Sequence, residues 1–107
     1  CDTLNPQLYY LQGVIAEEMG KPGDAAAALQ RALYIDQEFA VGHFALGHLL
    51  HRQGNYAKAE KHLAKARSLL QGYGRDEIPP EGEGINAARL IELIDAILSS
   101  KGREDKE

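Results

Sequence analysis

Residues 40–70 read AVGHFALGHLLHRQGNYAKAEKHLAKARSLL, two stretches of helical apolar spacing joined at Gly54-Asn55. The same pattern stands 34 positions earlier: Gly13 returns as Gly47, Gly20 as Gly54, Ala25 as Ala59, Leu29 as Leu63 and Ala32 as Ala66. A period that does not drift predicts helix-turn-helix units stacked in a line, more firmly than any local propensity could. Gly13 and Gly47 fall inside helical patterns, where Gly costs about 0.5 to 1 kcal/mol relative to Ala. The same cost at the same phase implies close approach of two helices, with Ala25, Ala32, Ala59 and Ala66 expected opposite.

Working outward, Asn5-Pro6 starts a helix, since Pro is tolerated where its missing N–H is not needed. Leu8, Leu11, Ile15 and Met19 recur along it with helical spacing until Gly20 ends it. Pro22 and Asp24 open the partner helix, which runs through Leu29 and Leu33 to Asp36. The second unit repeats the plan, with helices over Ala40 to Gln53 and Tyr56 to Gln71. Lys58, Lys61 and Lys65 share one face of the latter, read as solvated, with docking of the chain's own acidic loop as the alternative. That loop, GYGRDEIPPEGEGI over residues 72–85, is broken by Pro79, Pro80, Gly82 and Gly84. Gly72 is placed to end the preceding helix, and Ile78 is expected to pin the loop to the stack. Asn86 is suited to cap a last helix, Ile85 to staple onto Leu90, and Leu90, Ile94, Ile97 and Leu98 make its apolar stripe. Such a helix seals the open end of a stack.

The expected division is a remnant of a preceding repeat over 1–5, repeats over 6–39 and 40–71, the loop over 72–85, a capping helix over 86–100 and a disordered tail over 101–107. The remnant is read from Cys1-Asp2, which stands 34 residues before Ile35-Asp36. Hydrophobic residues at 44% and charged residues at 26% are ordinary for a globular chain, and a net charge of -4 carries no electrostatic footprint for nucleic acid. No apolar run approaches the roughly 18 residues of a membrane span. One cysteine makes no internal disulfide, which suits a reducing compartment, so the expected location is cytoplasmic.

Catalytic chemistry finds no support. Ser68, Ser99 and Ser100 lack a nucleophile-elbow context, and no Gly-rich phosphate loop follows a strand. His48 and His51 stand three apart on one helix, a spacing two metal ligands can share, but a zinc site needs three or four and Glu17 is the sole candidate third. They are therefore read as surface histidines, and His43 as a packing residue. No metal or cofactor is expected in this chain.

The repeat resembles the tetratricopeptide pattern place by place. Tyr9 and His43 stand at its large fourth place, Gln12-Gly13 and Leu46-Gly47 at its Leu-Gly, Ala25 and Ala59 at its small twentieth place, Leu29 and Leu63 at the twenty-fourth, and Ala32 and Ala66 at the twenty-seventh. The resemblance implies an all-α solenoid of two repeats plus a capping helix, whose first helices line a concave face. The places that line it correspond to Gln7, Tyr10, Leu11, Val14, Glu17 and Glu18, then to Val41, Phe44, Ala45, His48, His51 and Arg52. Flat apolar area from Tyr10 and Phe44 beside charge from Glu17, Glu18 and Arg52 suits an extended or helical peptide. The alternative is that Tyr10 and Phe44 pack on each other in a groove too short to bind. The clamp that some members close on a C-terminal carboxylate needs Lys and Asn where this chain has Tyr10 and Val14, so that ligand is disfavoured.

A longer pattern, RALYIDQEFAVGHFALGHLLHRQG followed by Glu77-Ile78-Pro79 and EGEGINAARLIELI, resembles the C-terminal tetratricopeptide region of CheR-type chemotaxis methyltransferases. This implies a parent enzyme that methylates chemoreceptor glutamates with S-adenosylmethionine, bound by parts that nothing in these residues resembles. The chain would be the non-catalytic module that docks or regulates that enzyme. Its expected partner is a protein or peptide: chemoreceptor segments, a signalling protein or the parent's catalytic domain. The alternative is a structural or self-associating scaffold of a different bacterial signalling protein.

Overall fold

The computed structural model describes residues 5–79 and 84–105 and folds them into five α-helices with no strand among them. Helices α1 (Pro6–Glu18) and α2 (Pro22–Ile35) form one hairpin, α3 (Ala40–Arg52) and α4 (Tyr56–Leu70) a second, and α5 (Ala87–Asp105) follows the loop. Each hairpin packs internally; α3 then lies on α2, and α5 lies on α4 with a lesser contact to α3. The result is an α-solenoid closed at its C-terminal side by a single helix.

Local chemistry sets the ends. Asn5 Oδ1 accepts the Gln7 amide at 2.9 Å, satisfying one donor that the first turn leaves free. Gly20 and Gly54 take φ of 78° and 83°, the left-handed region where glycine carries no Cβ penalty. At both turns the next residue's amide reaches back five places, Lys21 to Ala16 and Asn55 to Leu50, each at 2.9 Å, while the glycine amides bond Glu17 and His51. That pair of bonds is the Schellman closure. Asn86 Oδ1 accepts the Arg89 amide at 2.9 Å and so caps α5.

Between the helices of each hairpin lie the small residues. Ala25, Ala32, Ala59 and Ala66 are all buried, as are Gly13 and Gly47. The close approach of each glycine is to the leucine of the partner helix more than to an alanine: a Cβ on Gly13 would fall 2.8 Å from Leu29 Cγ, and one on Gly47 would fall 2.7 Å from Leu63 Cγ. Leu29, Leu46, Leu63, Leu70 and Ile94 are fully buried, and each such side chain contributes about 1.5 to 3 kcal/mol relative to exposure.

Two expectations change. Ile78 is half exposed and does not pin the loop; Pro79 is fully buried, and the Glu77 and Arg75 carbonyls accept the Ala87 and Ala88 amides. A rigid ring next to a paired backbone anchors the segment at lower entropic cost than a free isoleucine. The last helix does not stop at residue 100 but runs through Asp105, so residues 101–105 are helical where a disordered tail was expected. Elongating a helix already nucleated adds one bond per residue, and no Pro interrupts it. Residues 1–4, 80–83 and 106–107, which include most of the expected remnant, lie outside the described residues. Lastly, Leu8, Leu11, Ile15 and Met19 line the face of α1 turned from α2 and are exposed.

Candidate functional site

The face shared by α1 and α3 is tied near the ends of both helices, where the Arg52 guanidinium donates to the Glu17 carboxylate. One helical turn separates Phe44 from His48, and their rings lie parallel within 12° with centroids 6.1 Å apart. Phe44 is half-buried and His48 is exposed as a residue. Crowding of the His48 ring nevertheless lowers its pKa, chiefly by lost solvation and then by Arg52, against a smaller opposing pull from Glu17. The imidazole is therefore neutral near pH 7 and presents hydrogen-bonding capacity without charge.

The other expected lining residues divide. Val14 is half-buried, and Glu18 and Gln7 are exposed on α1. Gln7 belongs to a neighbouring cleft of about 280 Å³ with Asp36, Glu38, Phe39 and Tyr73. The sequence reading did not anticipate that cleft. Its acidity is visible in the Tyr73 phenol, whose pKa is raised by burial and then by Glu77, Asp36 and Glu38. Tyr10 and Val41 are not on the open face: they are 7% and 4% exposed and belong to the core. Tyr10 packs edge-on against Phe39, not Phe44, with ring centroids 5.5 Å apart and planes at 65°. Phe39 ends the connection between the repeats, so it fills the space that a concave surface would have left open to Tyr10.

His51 turns from the face toward Tyr56, ring edge to ring at 4.9 Å, and its Nε2 is buried without a hydrogen-bond partner. His48 and His51 therefore take up different surroundings, and Glu17 is held by Arg52. Among the described residues no group of three or more His, Cys, Asp or Glu side chains is placed to hold a metal ion.

A histidine pair that the sequence reading missed lies inside the second hairpin. His43, on α3, is buried; its Nε2 is 2.9 Å from the Gln37 carbonyl, and its Nδ1 is 3.2 Å from Nδ1 of His62 on α4. A carbonyl can only accept, so His43 carries its proton on Nε2 and offers a lone pair at Nδ1, to which His62 donates Nδ1–H. The corresponding pair in the first hairpin is Tyr9 and Ala28, a large residue over a small one. The substitution of that small residue by His62 was the available signal.

Both imidazoles have pKa values lowered from 6.5, His43 by burial and then Lys65, against the Gln37 carbonyl and Asp36, and His62 by burial, His43 and Lys61. The unfolded chain thus binds more protons than the folded one below that value, so the pair's stability is fully present above pH 6.5 and is lost as pH falls through the folded values. Thermal melts between about pH 7.5 and pH 5.5 should show the midpoint falling with acidity. A His43→Tyr/His62→Ala variant, copying the first hairpin, should flatten that slope; an equal slope in both proteins would place the titration elsewhere.

Residues 6–39 and residues 40–73 each match a family model described as Tetratricopeptide repeat, and together the matches run without a gap. No curated protein and no solved structure matches the chain.

Proposed function

We propose that this chain, which belongs to the tetratricopeptide repeat family, is a protein-interaction module that takes an extended or helical peptide segment across α1 and α3. The observation that carries the reading is the Phe44–His48 stack beside the Glu17–Arg52 pair: flat apolar area next to charge, mounted on two rigid helices. An apolar side chain of the segment would cover Phe44, and separate cationic ones would meet Glu18 at one end of α1 and the Asp36 and Glu38 cleft beside Gln7 at the other.

We further propose that the parent protein is a CheR-type chemoreceptor methyltransferase, supported by the strings around Ala32–Asp36, Glu77–Pro79 and Gly84–Leu90. In that case S-adenosylmethionine binds the catalytic part and the segment comes from a chemoreceptor cytoplasmic region, a signalling protein or that catalytic part itself, all in the cytoplasm. Titration calorimetry against those candidates tests both statements. Phe44→Ala should weaken binding at least about fivefold, since truncating a central aromatic anchor costs more than about 1 kcal/mol. Circular dichroism should show the helices intact. Unchanged affinity in Phe44→Ala would remove the α1/α3 face from consideration, and binding to none of the candidates would remove the methyltransferase parent.

A further inference from the structure

Where the first hairpin carries Tyr9 and Ala28, the second carries His43 and His62, on helices built to the same plan. Their Nδ1 atoms are 3.2 Å apart. A divalent transition-metal ion held about 2.0 to 2.1 Å from each imidazole nitrogen spans such a separation at an angle of about 100°, close to tetrahedral. The Gln37 carbonyl, 2.9 Å from His43 Nε2, takes that ring's N–H and leaves its Nδ1 lone pair toward His62. A backbone carbonyl behind the far nitrogen is the outer-shell support that orients histidine ligands in metal sites. His43 is 8% exposed, whereas His62 is half-buried, so the pair is open to solvent on the His62 side.

We propose that His43 and His62 form a two-point chelate for a divalent transition-metal ion, Cu2+ above all, which pins α3 to α4. The two Nδ1 atoms take two coordination places and water takes the rest. His62 gives up its Nδ1 proton to solvent and takes one at Nε2, so the ring stays neutral and no net proton is released. The hydrogen bond between the rings is exchanged for two metal–nitrogen bonds. A structural zinc site is closed by four protein ligands; with two, the ion exchanges freely and braces a hairpin that folds without it. Imidazole suits Cu2+, Ni2+ and Zn2+, and the general order of affinity puts Cu2+ first. His48 and His51 offer no such geometry, the one stacked on Phe44 and the other turned to Tyr56.

The surrounding charge sets the selectivity. Lys65 acts on His43 and Lys61 on His62, both from α4, and they oppose a dication as they oppose a proton; Asp36, before α3, pulls the other way on His43. The net field therefore supplies little, and affinity rests on metal–imidazole bonding. That excludes Mg2+, a hard cation that takes oxygen ligands. Burial keeps both rings neutral near pH 7, which is the form a metal requires. As pH falls through their lowered pKa values, protons compete for the same lone pairs and the ion leaves.

The interior of the second hairpin is not the face proposed to bind a peptide, so either reading can fail alone. Thermal melts of the 107-residue chain near neutral pH, with Cu2+, Ni2+ or Zn2+ at sub-millimolar concentration, should show the midpoint raised by about 4 °C or more and furthest by Cu2+, because an ion bound by the folded state stabilises it by mass action. Mg2+ should leave it unchanged. His62→Ala restores the alanine of the first repeat, so helicity should persist while the rise disappears. His48→Ala with His51→Ala should keep the rise. Electron paramagnetic resonance of added Cu2+ should show coupling to two imidazole nitrogens in the parent chain and lose it in His62→Ala. No rise with any of the three ions, a rise equal in His62→Ala, or a rise lost in His48→Ala/His51→Ala overturns the proposal.

Discussion

Gly47→Val is expected to lower the stability of the chain by about 1 to 3 kcal/mol or more. The first added carbon would sit 2.7 and 2.8 Å from two carbons of the Leu63 side chain and 3.2 Å from its backbone nitrogen. Leu63 is fully buried, so its side chain has no open space to swing into, and its nitrogen cannot retreat without carrying α4 with it. Valine's branch adds a further carbon to the same gap. The strain must spread as separation of α3 from α4, the pair at the centre of the stack. A chain of this size loses roughly 4 to 8 °C of melting midpoint per kcal/mol, which a thermal melt followed by circular dichroism resolves easily. A midpoint equal to that of the parent chain would mean that the two helices do not approach at Gly47.

Tyr10→Ala should cost more, about 3 kcal/mol or above, by the opposite route of an emptied core. The ring is 7% exposed, and its edge-on contact with Phe39 contributes about 0.5 to 1.5 kcal/mol beyond burial. Phe39 is itself buried at the junction of the two repeats, so the void would open where one hairpin rests on the next. Urea unfolding should show a lower midpoint with little change of slope, as expected when stability falls and the surface exposed on unfolding does not. A midpoint matching the parent would take the ring out of the core. The result also governs how binding data are read: loss of a partner in Tyr10→Ala would report a loosened fold, whereas loss in Phe44→Ala reports the surface.

Most of the helix boundaries follow from the 34-residue period, because the glycines that end α1 and α3 serve a backbone need that any repeat of the turn must meet. What the period does not carry is contact between parts that are not copies of each other. Tyr10 occupies a place that lines the groove in the resemblance, but here Phe39 covers it, and an aromatic at the end of a connector leaves no periodic trace. Val41 is hidden for a related reason: α3 is enclosed by α2, α4 and α5, which leaves a narrower open face than a helix with one neighbour would have. His62 departs visibly from Ala28 of the first repeat, but that it meets His43 is a matter of how α4 packs on α3, which the period does not encode. The exposed face of α1 lined by Leu8, Leu11, Ile15 and Met19 shows the remaining limit. Spacing marks a face as apolar, but whether anything rests on it is a property of the assembled molecule.

The doubled backbone closure at Gly20 and Gly54 bears on how such a surface could change over time. Because amides and carbonyls set the angle at which each hairpin folds back, the frame owes little to the side chains that point outward from it. Those side chains are free to diverge between descendants of one ancestral unit, so new specificities can arise on an unaltered chassis.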